Sequence, residues 1–167
     1  MSYKDGEVQI IQVDPFHPQM GLLFPFILQR ILAFSRVHFG EIDPLLQARD
    51  FAMRACAGDP NFLLLAFVAP DGKLVGHAVC IMSETYGKRW LFVTQSAVDE
   101  PAGDLIPRAI NVGKAFARAR GGDLVIFETK RSDSAWTRAL GAKTARHLMY
   151  FPLNGEPVVE AEKGVVN

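Results

Sequence analysis

The distribution of apolar and polar residues divides the first part of the chain into one strand and two helices. Residues 7–13 (EVQIIQV) are rich in β-branched side chains and stop at a turn signal, which predicts a strand. Over residues 24–40, apolar side chains recur at three- and four-residue spacing, which predicts a helix. Asp43 as N-cap, Pro44 in the first turn and Gly58 at the end predict a second helix.

The middle of the chain changes to the pattern of buried strands. Residues 62–69 and 74–82 are nearly continuous apolar runs joined by the turn sequence PDGK, which predicts a hairpin buried on both faces. After a short polar loop, residues 90–98 (WLFVTQSAV) predict a further strand.

The last third alternates helices and strands. The predicted elements are a helix over 104–120, a strand over 123–129, a short helix over 134–140 and a strand over 147–153. The order β-α-α-β-β-β-α-β-α-β predicts an α/β (α+β) mixed sheet, with residues 90–129 as a right-handed parallel crossover. We expect one domain over residues 1–153 and a polar tail over 154–167.

Composition and charge argue against several classes of function. The chain has 167 residues, 49% of them hydrophobic, and Lys+Arg equals Asp+Glu at 18 each. Zero net charge argues against nucleic acid as a partner. Cys56 and Cys80 have no metal-ligand or disulfide spacing, so no metal site is expected. The sequence has neither a signal pattern nor an apolar run long enough to span a membrane, and we therefore expect a soluble, cytoplasmic protein without a membrane partner.

Two stretches carry a resemblance to a known family. The hairpin AFVAPDGKLVGHAV (66–79) resembles the paired strands of the GNAT superfamily of N-acyltransferases. The stretch FETKRSDSAWTRALGAK (127–143) is similar to the family's final strand, short helix and Leu-Gly-Phe signature, with Leu140-Gly141-Ala142 in the signature's place. Together with the element order, the resemblance extends from Val8 to Leu153. The chain also resembles divergent, bacteriophage-encoded members that keep the frame and lose the cofactor motif.

The resemblance implies acetyl-CoA as cofactor and a small-molecule or protein amine as acceptor. The family's loop before the third helix reads Arg/Gln-x-x-Gly-x-Gly/Ala, and of the stretch EPAGDL (100–105) only Gly103 matches it. Asp99, Glu100 and Asp104 would add negative charge beside a diphosphate. Asp104 can alternatively be read as a helix N-cap. The cofactor-binding residues implied are Ala97, Val98, Ala102, Gly103, Asp104 and Arg108.

Acyl transfer to an amine also needs proton handling, which the sequence supplies sparsely. The 90–98 strand contains no carboxylate, and Gln95 is its main hydrogen-bonding side chain. The nearest carboxylates are Glu84 and Glu128. Thr137 stands at the position of the family's tyrosine acid. His77 is a titratable candidate, with a buried structural histidine as the alternative. The candidate catalytic residues are therefore His77, Glu84, Gln95 and Glu128.

Two functional hypotheses remain open. The first is an active N-acetyltransferase that uses acetyl-CoA. The second is a catalytically inactive binding or assembly module of the same fold, associated with a phage or virion. The region between Phe24 and Phe39 contains four phenylalanines, which fits either core packing or an apolar surface for a homo-oligomer or another protein assembly.

Overall fold

The computed structural model describes residues 7–38, 43–85, 87–99, 104–127, 143–145 and 148–152. The elements, in chain order, are β1 (Gln9–Gln12), α1 (Phe24–His38), α2 (Pro44–Cys56), β2 (Phe62–Val68), β3 (Leu74–Thr85), β4 (Lys88–Val98), α3 (Leu105–Arg118), β5 (Leu124–Phe127), β6 (Lys143–Ala145) and β7 (Leu148–Pro152). The mixed α/β fold class is confirmed. The helix predicted over residues 134–140 lies outside the described residues.

The strands form one seven-stranded sheet in the order β1-β2-β3-β4-β5-β7-β6. Neighbouring strands are antiparallel except β4 and β5, which are parallel, as predicted for the strand–helix–strand unit. β6 was not predicted from the sequence. It has only three residues, too few for an alternating pattern to be recognised.

Local signals place the two helices before the hairpin. Asp43 caps α2 by accepting a hydrogen bond from the backbone N–H of Leu45 at 2.9 Å, and Pro44 occupies the first turn. The chain leaves α2 through Gly58, whose φ of 62° is in the left-handed region that glycine adopts without strain. α1 likewise carries Pro25 in its first turn, where no intrahelical N–H bond is lost.

The sheet separates two hydrophobic clusters. Every residue of β2 is buried, and its side chains alternate between the clusters, as expected for a strand covered on both faces. On one face α1 and α2 pack through Ile27, Ile31 and Phe51. On the other face α3 packs through Leu105 and residues of its later turns. The fold is therefore a three-layer arrangement in which β2 is fully enclosed.

A bulge in β3 corrects one feature of the predicted strand pattern. Simple alternation puts Val75 on the same face as His77. The pairing of β2 with β3 shifts after Phe67, which leaves Val75 as an extra residue. Val75 consequently packs in the α3-side cluster, whereas Leu74 packs on the face covered by α1 and α2.

Candidate functional site

The candidate site lies along the second half of β4, beyond the residues whose parallel pairing with β5 the structure describes. Residues 90–93 pair with β5, and no strand in the described part of the chain continues along that side of β4. α3 begins at Leu105, after the loop that follows β4. In open α/β sheets, ligands bind beyond the carboxyl ends of parallel strands, and helix N-termini attract anions. The end of β4 and the first turn of α3 therefore frame the site.

A second bulge, in β4, decides where Gln95 points. Cys80 pairs with Val93 and Val79 pairs with Gln95, so Thr94 is an extra residue. The Thr94 hydroxyl donates a hydrogen bond to the Val79 carbonyl oxygen at 3.0 Å, which holds the bulge in place. Val93 faces the α3-side cluster. Because of the extra residue, Gln95 faces α1 instead.

Gln95 joins a buried polar network between β4 and the two helices above it. Its side-chain Nε2 donates to the carbonyl oxygen of Ile31 at 3.2 Å and to Ser35 Oγ at 3.4 Å. The Ser35 hydroxyl lies 2.9 Å from the Ile31 carbonyl oxygen and contacts Gln47 Oε1 of α2. Gln95 is 2% exposed and Ser35 is fully buried. The network therefore fixes α1 and α2 on the second half of β4.

His77 lies next to this network and is fully enclosed, with 0% exposure. The Phe34 ring meets its imidazole edge-on at a centroid distance of 6.3 Å. Burial, and then the charge of Arg30, lower the pKa of His77 to about 4, although nearby Gln95 favours the protonated form. Neither ring nitrogen reaches hydrogen-bond geometry with a described group. His77 is therefore neutral at pH 7, and its surroundings match neither a solvent-facing base nor a fully satisfied core histidine.

Arg30 of α1 forms an ion pair with Asp99, the residue that follows β4. The guanidinium binds both carboxylate oxygens, with Nη1 donating to Oδ2 at 2.9 Å. Hydrogen bonding from Arg30 lowers the pKa of Asp99 below its ordinary value. The side chains are 26% and 44% exposed, so solvent moderates the strength of the pair. Its consequence for the site is that the Asp99 charge is already compensated.

Asp104 and Arg108 lie in the first turn of α3. Asp104 occupies the N-cap position, but its side chain makes no capping hydrogen bond. Its carboxylate lies 3.5 Å from Arg108 Nη1, which also donates to the Val8 carbonyl oxygen at 3.0 Å. The N-cap interpretation thus holds for the position of Asp104 and fails for its hydrogen bond. The acidic charge at this helix start is compensated as well.

Of the remaining predicted cofactor residues, Ala97 and Val98 end β4 and Ala102 and Gly103 lie outside the described residues. Ala97 pairs with His77 across the sheet, and Val98 pairs with Gly76. A Cβ atom on Gly76 would lie 2.5 Å from the Ala97 carbonyl oxygen. Close approach of the two strands here therefore requires glycine.

Of the two predicted carboxylate bases, Glu84 does not share this location. Glu84 pairs with Arg89 near the start of β4 and lies 3.7 Å from it. Six residues of strand separate Arg89 from Gln95, which corresponds to about 20 Å. Glu84 therefore lies far from the end of β4. Glu128 lies outside the described residues, and β4 itself carries no carboxylate.

The helices contribute three residues to the site that were not predicted from the sequence, namely Arg30, Ser35 and Gln47. One signal for Ser35 was present, because Ile27, Ile31 and Ser35 follow one another at four-residue spacing and all three are buried. A polar residue on an otherwise apolar helix stripe indicates a buried hydrogen-bonding partner.

A shallow groove runs along α1 beside Arg30. The residues that line it are mostly apolar: Leu23, Phe26, Gln29, Arg30, Ala33, Gly72 and Leu74. Phe26 and neighbouring Leu22 are largely exposed, in contrast to Ile27 and Ile31 on the opposite side of the helix. In the part of the chain that the structure describes, no helix could cross a membrane, and no group of three or more metal-ligating side chains occurs.

Comparison with known proteins identifies the fold. No family model matches the sequence, and no curated protein does. Among solved structures, the chain is similar to a GNAT-family acetyltransferase from Staphylococcus aureus Mu50, with a TM-score of 0.62 and 12% identity over 87% of this chain and 99% of the other. It is also similar to a GNAT-family acetyltransferase from Brucella melitensis in complex with acetyl-CoA, with a TM-score of 0.59 and 16% identity over 93% of both chains.

A third similar structure is aminoglycoside 6'-acetyltransferase type Ii, with a TM-score of 0.58 and 17% identity over 89% of this chain and 99% of the other. At these identities the likeness concerns the fold alone. The chain therefore has the GNAT acyltransferase fold.

Proposed function

We propose that this protein is an N-acyltransferase that uses acetyl-CoA to acylate an amine. The observation that carries the proposal is the parallel β4–β5 pair, whose described pairing extends to Val93 and Phe127, with the N-terminus of α3 following the end of β4. This arrangement offers an extended strand edge and a helix N-terminus to one ligand. Structures of the same fold, including one described as a complex with acetyl-CoA, support the proposal.

The start of α3 fits the cofactor's diphosphate in part. Asp104 leaves the backbone amides of Leu105 and Ile106 uncapped, so these donors point out of the helix start. Pro107 contributes no amide, which reduces the number of donors. The Leu105 side chain is 1% exposed and packs in the core. In this proposal the amides of Leu105 and Ile106 and the side chain of Arg108 hold the diphosphate.

Acid–base assistance is the weaker part of the proposed enzyme. Bound acetyl-CoA supplies an activated thioester, and the acceptor must arrive as a neutral amine. His77 and Gln95 are the two predicted catalytic residues that lie together, and both are covered by α1. A histidine whose pKa is about 4 is a poor base for an ammonium ion. The proposed reaction therefore depends on positioning and on solvent for proton removal, and its rate should rise with pH until the acceptor amine is neutral.

Cofactor binding can be tested by thermal unfolding of the wild-type chain with acetyl-CoA. Mass action predicts that the melting temperature rises continuously with ligand concentration above the dissociation constant. S-acetylpantetheine has the same thioester without the diphosphate and should produce a much smaller rise. The absence of any rise at about 1 mM acetyl-CoA would exclude the proposed cofactor.

A charge substitution tests the location of the diphosphate. Asp104→Asn removes a carboxylate beside the α3 amides and releases Arg108 from its 3.5 Å contact. A unit charge in water at this range is worth about 1 kcal/mol, so acetyl-CoA should bind about fivefold more tightly. Asp50→Asn is the matched control, because Asp50 lies on α2 and pairs with Arg54. Equal affinity of the Asp104 variant and the wild type would place the diphosphate elsewhere.

A catalytically inactive module of the same fold is the second candidate, and the burial of His77 and Gln95 favours it. No acceptor can touch either side chain while α1 remains in place. In this alternative, the exposed Leu22 and Phe26 contact another protein or a second copy of the chain. Binding of acetyl-CoA without acyl transfer to any amine in a broad panel would support it. Monomers in sedimentation experiments for both the wild type and Phe26→Ser would exclude self-association through this surface.

A further inference from the structure

Four buried polar atoms cluster where α1 lies on β3 and β4. They are Arg30 Nε, Nδ1 and Nε2 of His77, and Gln95 Oε1, and none has a hydrogen-bond partner among the described groups. Arg30 and Gln95 both lie near enough to His77 to influence its protonation. Leaving a buried donor or acceptor unpaired costs about 1–3 kcal/mol. One His77 N–H can be matched with Gln95 Oε1, which leaves Arg30 Nε and the second imidazole nitrogen to be satisfied by a polar guest.

The surrounding hydrogen bonds fix the direction of each group. Gln95 Nε2 is used toward Ile31 and Ser35, so Gln95 presents Oε1, an acceptor, to the remaining space. Nη1 and Nη2 of Arg30 are used toward Asp99, so Arg30 presents Nε–H, a donor. A neutral imidazole has one N–H donor and one acceptor nitrogen. The N–H of His77 can therefore donate to Gln95 Oε1. The other ring nitrogen of His77 and the Nε of Arg30 then remain: the first is an acceptor and the second carries a donor hydrogen.

We propose that one buried water molecule bridges Arg30 Nε and the acceptor nitrogen of His77, and that His77, as a single neutral tautomer, thereby positions Arg30 on Asp99. The water accepts the Arg30 hydrogen bond and donates to His77. The ordered chain then runs from Asp99 through Arg30, the water and His77 to Gln95 and the helices above. His77 is a positioning residue in this scheme and touches no substrate.

The inference does not depend on the proposed acyl transfer, because it concerns contacts within the folded chain. It nevertheless bears on the candidate site, since Asp99 directly follows β4. Loss of the water would leave the Arg30 Nε donor buried and unpaired. Arg30 would then leave Asp99 more readily, and the Asp99 charge would become uncompensated beside the loop that leads to α3.

Nitrogen-15 NMR of the wild-type protein tests the site directly at neutral pH. We expect one protonated and one unprotonated His77 ring nitrogen without tautomer averaging, slow solvent exchange of the Arg30 Nε–H, and a cross-relaxation peak between that proton and a long-lived water. Exposed Arg36 on the same helix provides the fast-exchange reference. Averaged ring shifts, or an Arg30 Nε–H that exchanges as fast as that of Arg36, would overturn the proposal.

Two variants separate the bridge from general packing. His77→Gln retains a hydrogen-bonding side chain and should keep Arg30 Nε–H protection, whereas His77→Leu should reduce it about fivefold to tenfold. Val125→Ala, in the buried cluster on the other face of the sheet, controls for overall destabilisation. Equal loss of protection in Val125→Ala and His77→Leu would contradict a specific bridge. Should His77→Leu fail to fold, the wild-type spectra and His77→Gln still decide the question.

Discussion

The buried neutral histidine should make the fold sensitive to acid, and the size of the effect can be worked out from its surroundings. Burial, followed by the charge of Arg30, lowers the pKa of His77 from 6.5 to about 4. Between these values the unfolded chain binds a proton that the folded chain excludes, so stability falls as pH falls. The difference between the two pKa values lowers the free energy of unfolding by about 3 kcal/mol at pH 4. Above pH 6.5, His77 is not expected to lower it.

The charged groups around His77 act in different pH ranges. Arg30 stays protonated throughout, and Gln95 does not titrate. Asp99 has a pKa lowered by Arg30, so its contribution to stability is present above its ordinary value of 3.8 and is lost as pH falls through the lower folded value. On acidification, protonation of Asp99 therefore lowers the free energy of unfolding at a lower pH than protonation of His77 does. Of these groups, only His77 changes the free energy of unfolding between pH 6.5 and about 4.

The measurement is urea unfolding followed by circular dichroism at a series of pH values across this window, for the wild type and for His77→Gln. Glutamine keeps a polar side chain at the position but does not titrate. The wild type should lose about 3 kcal/mol more than the variant between pH 6.5 and pH 4, because all other titrating groups are common to both chains. Parallel stability curves would refute the argument, since His77 would then titrate alike in both states.

Two further predictions concern packing and thiol reactivity. Gly76→Ala places a Cβ atom 2.5 Å from the Ala97 carbonyl oxygen and should lower the free energy of unfolding by about 2 kcal/mol or more. In the control Gly113→Ala, the new Cβ atom lies 3.4 Å from its nearest neighbour, and the free energy of unfolding should rise by no more than about 1 kcal/mol. Burial raises the pKa of Cys80 to about 12, so a thiol reagent should titrate only exposed Cys56 in the native protein and both cysteines in urea; rapid native reaction of both would contradict the burial of Cys80.

The β2–β3 hairpin and the positions of α1, α2 and α3 could be predicted from the sequence because strong local signals mark them. The β2–β3 hairpin combines two apolar runs with a turn sequence, and α2 combines Asp43 with Pro44. Such signals act over a few residues and survive in the folded protein. The parallel β4–β5 pair could also be predicted, since a strand–helix–strand unit returns the chain in the same direction.

The bulges could not be predicted, and they determine the site. Alternation fixes the face of a side chain only while the pairing register is constant. The extra residues Val75 and Thr94 break that register, and each moves the later residues of its strand to the other face. Gln95 reaches α1 because of Thr94 alone. A sequence-based interpretation can identify Gln95 as a polar residue in a strand, but it cannot decide which layer the side chain contacts.

The electrostatics of the site show the same limit for contacts that are distant in sequence. From the sequence, Asp99, Glu100 and Asp104 are expected to repel a diphosphate at the end of β4. Glu100 lies outside the described residues. In the folded chain Asp99 is paired with Arg30, which is 69 residues away, and Asp104 lies beside Arg108. The net charge of these four side chains is zero, so the repulsion expected from Asp99 and Asp104 is largely compensated. Because Arg30 belongs to α1, the charge at the proposed cofactor site depends on how α1 is held to the sheet. The polar contacts beneath α1 therefore matter for anion binding even though none of them touches the ligand.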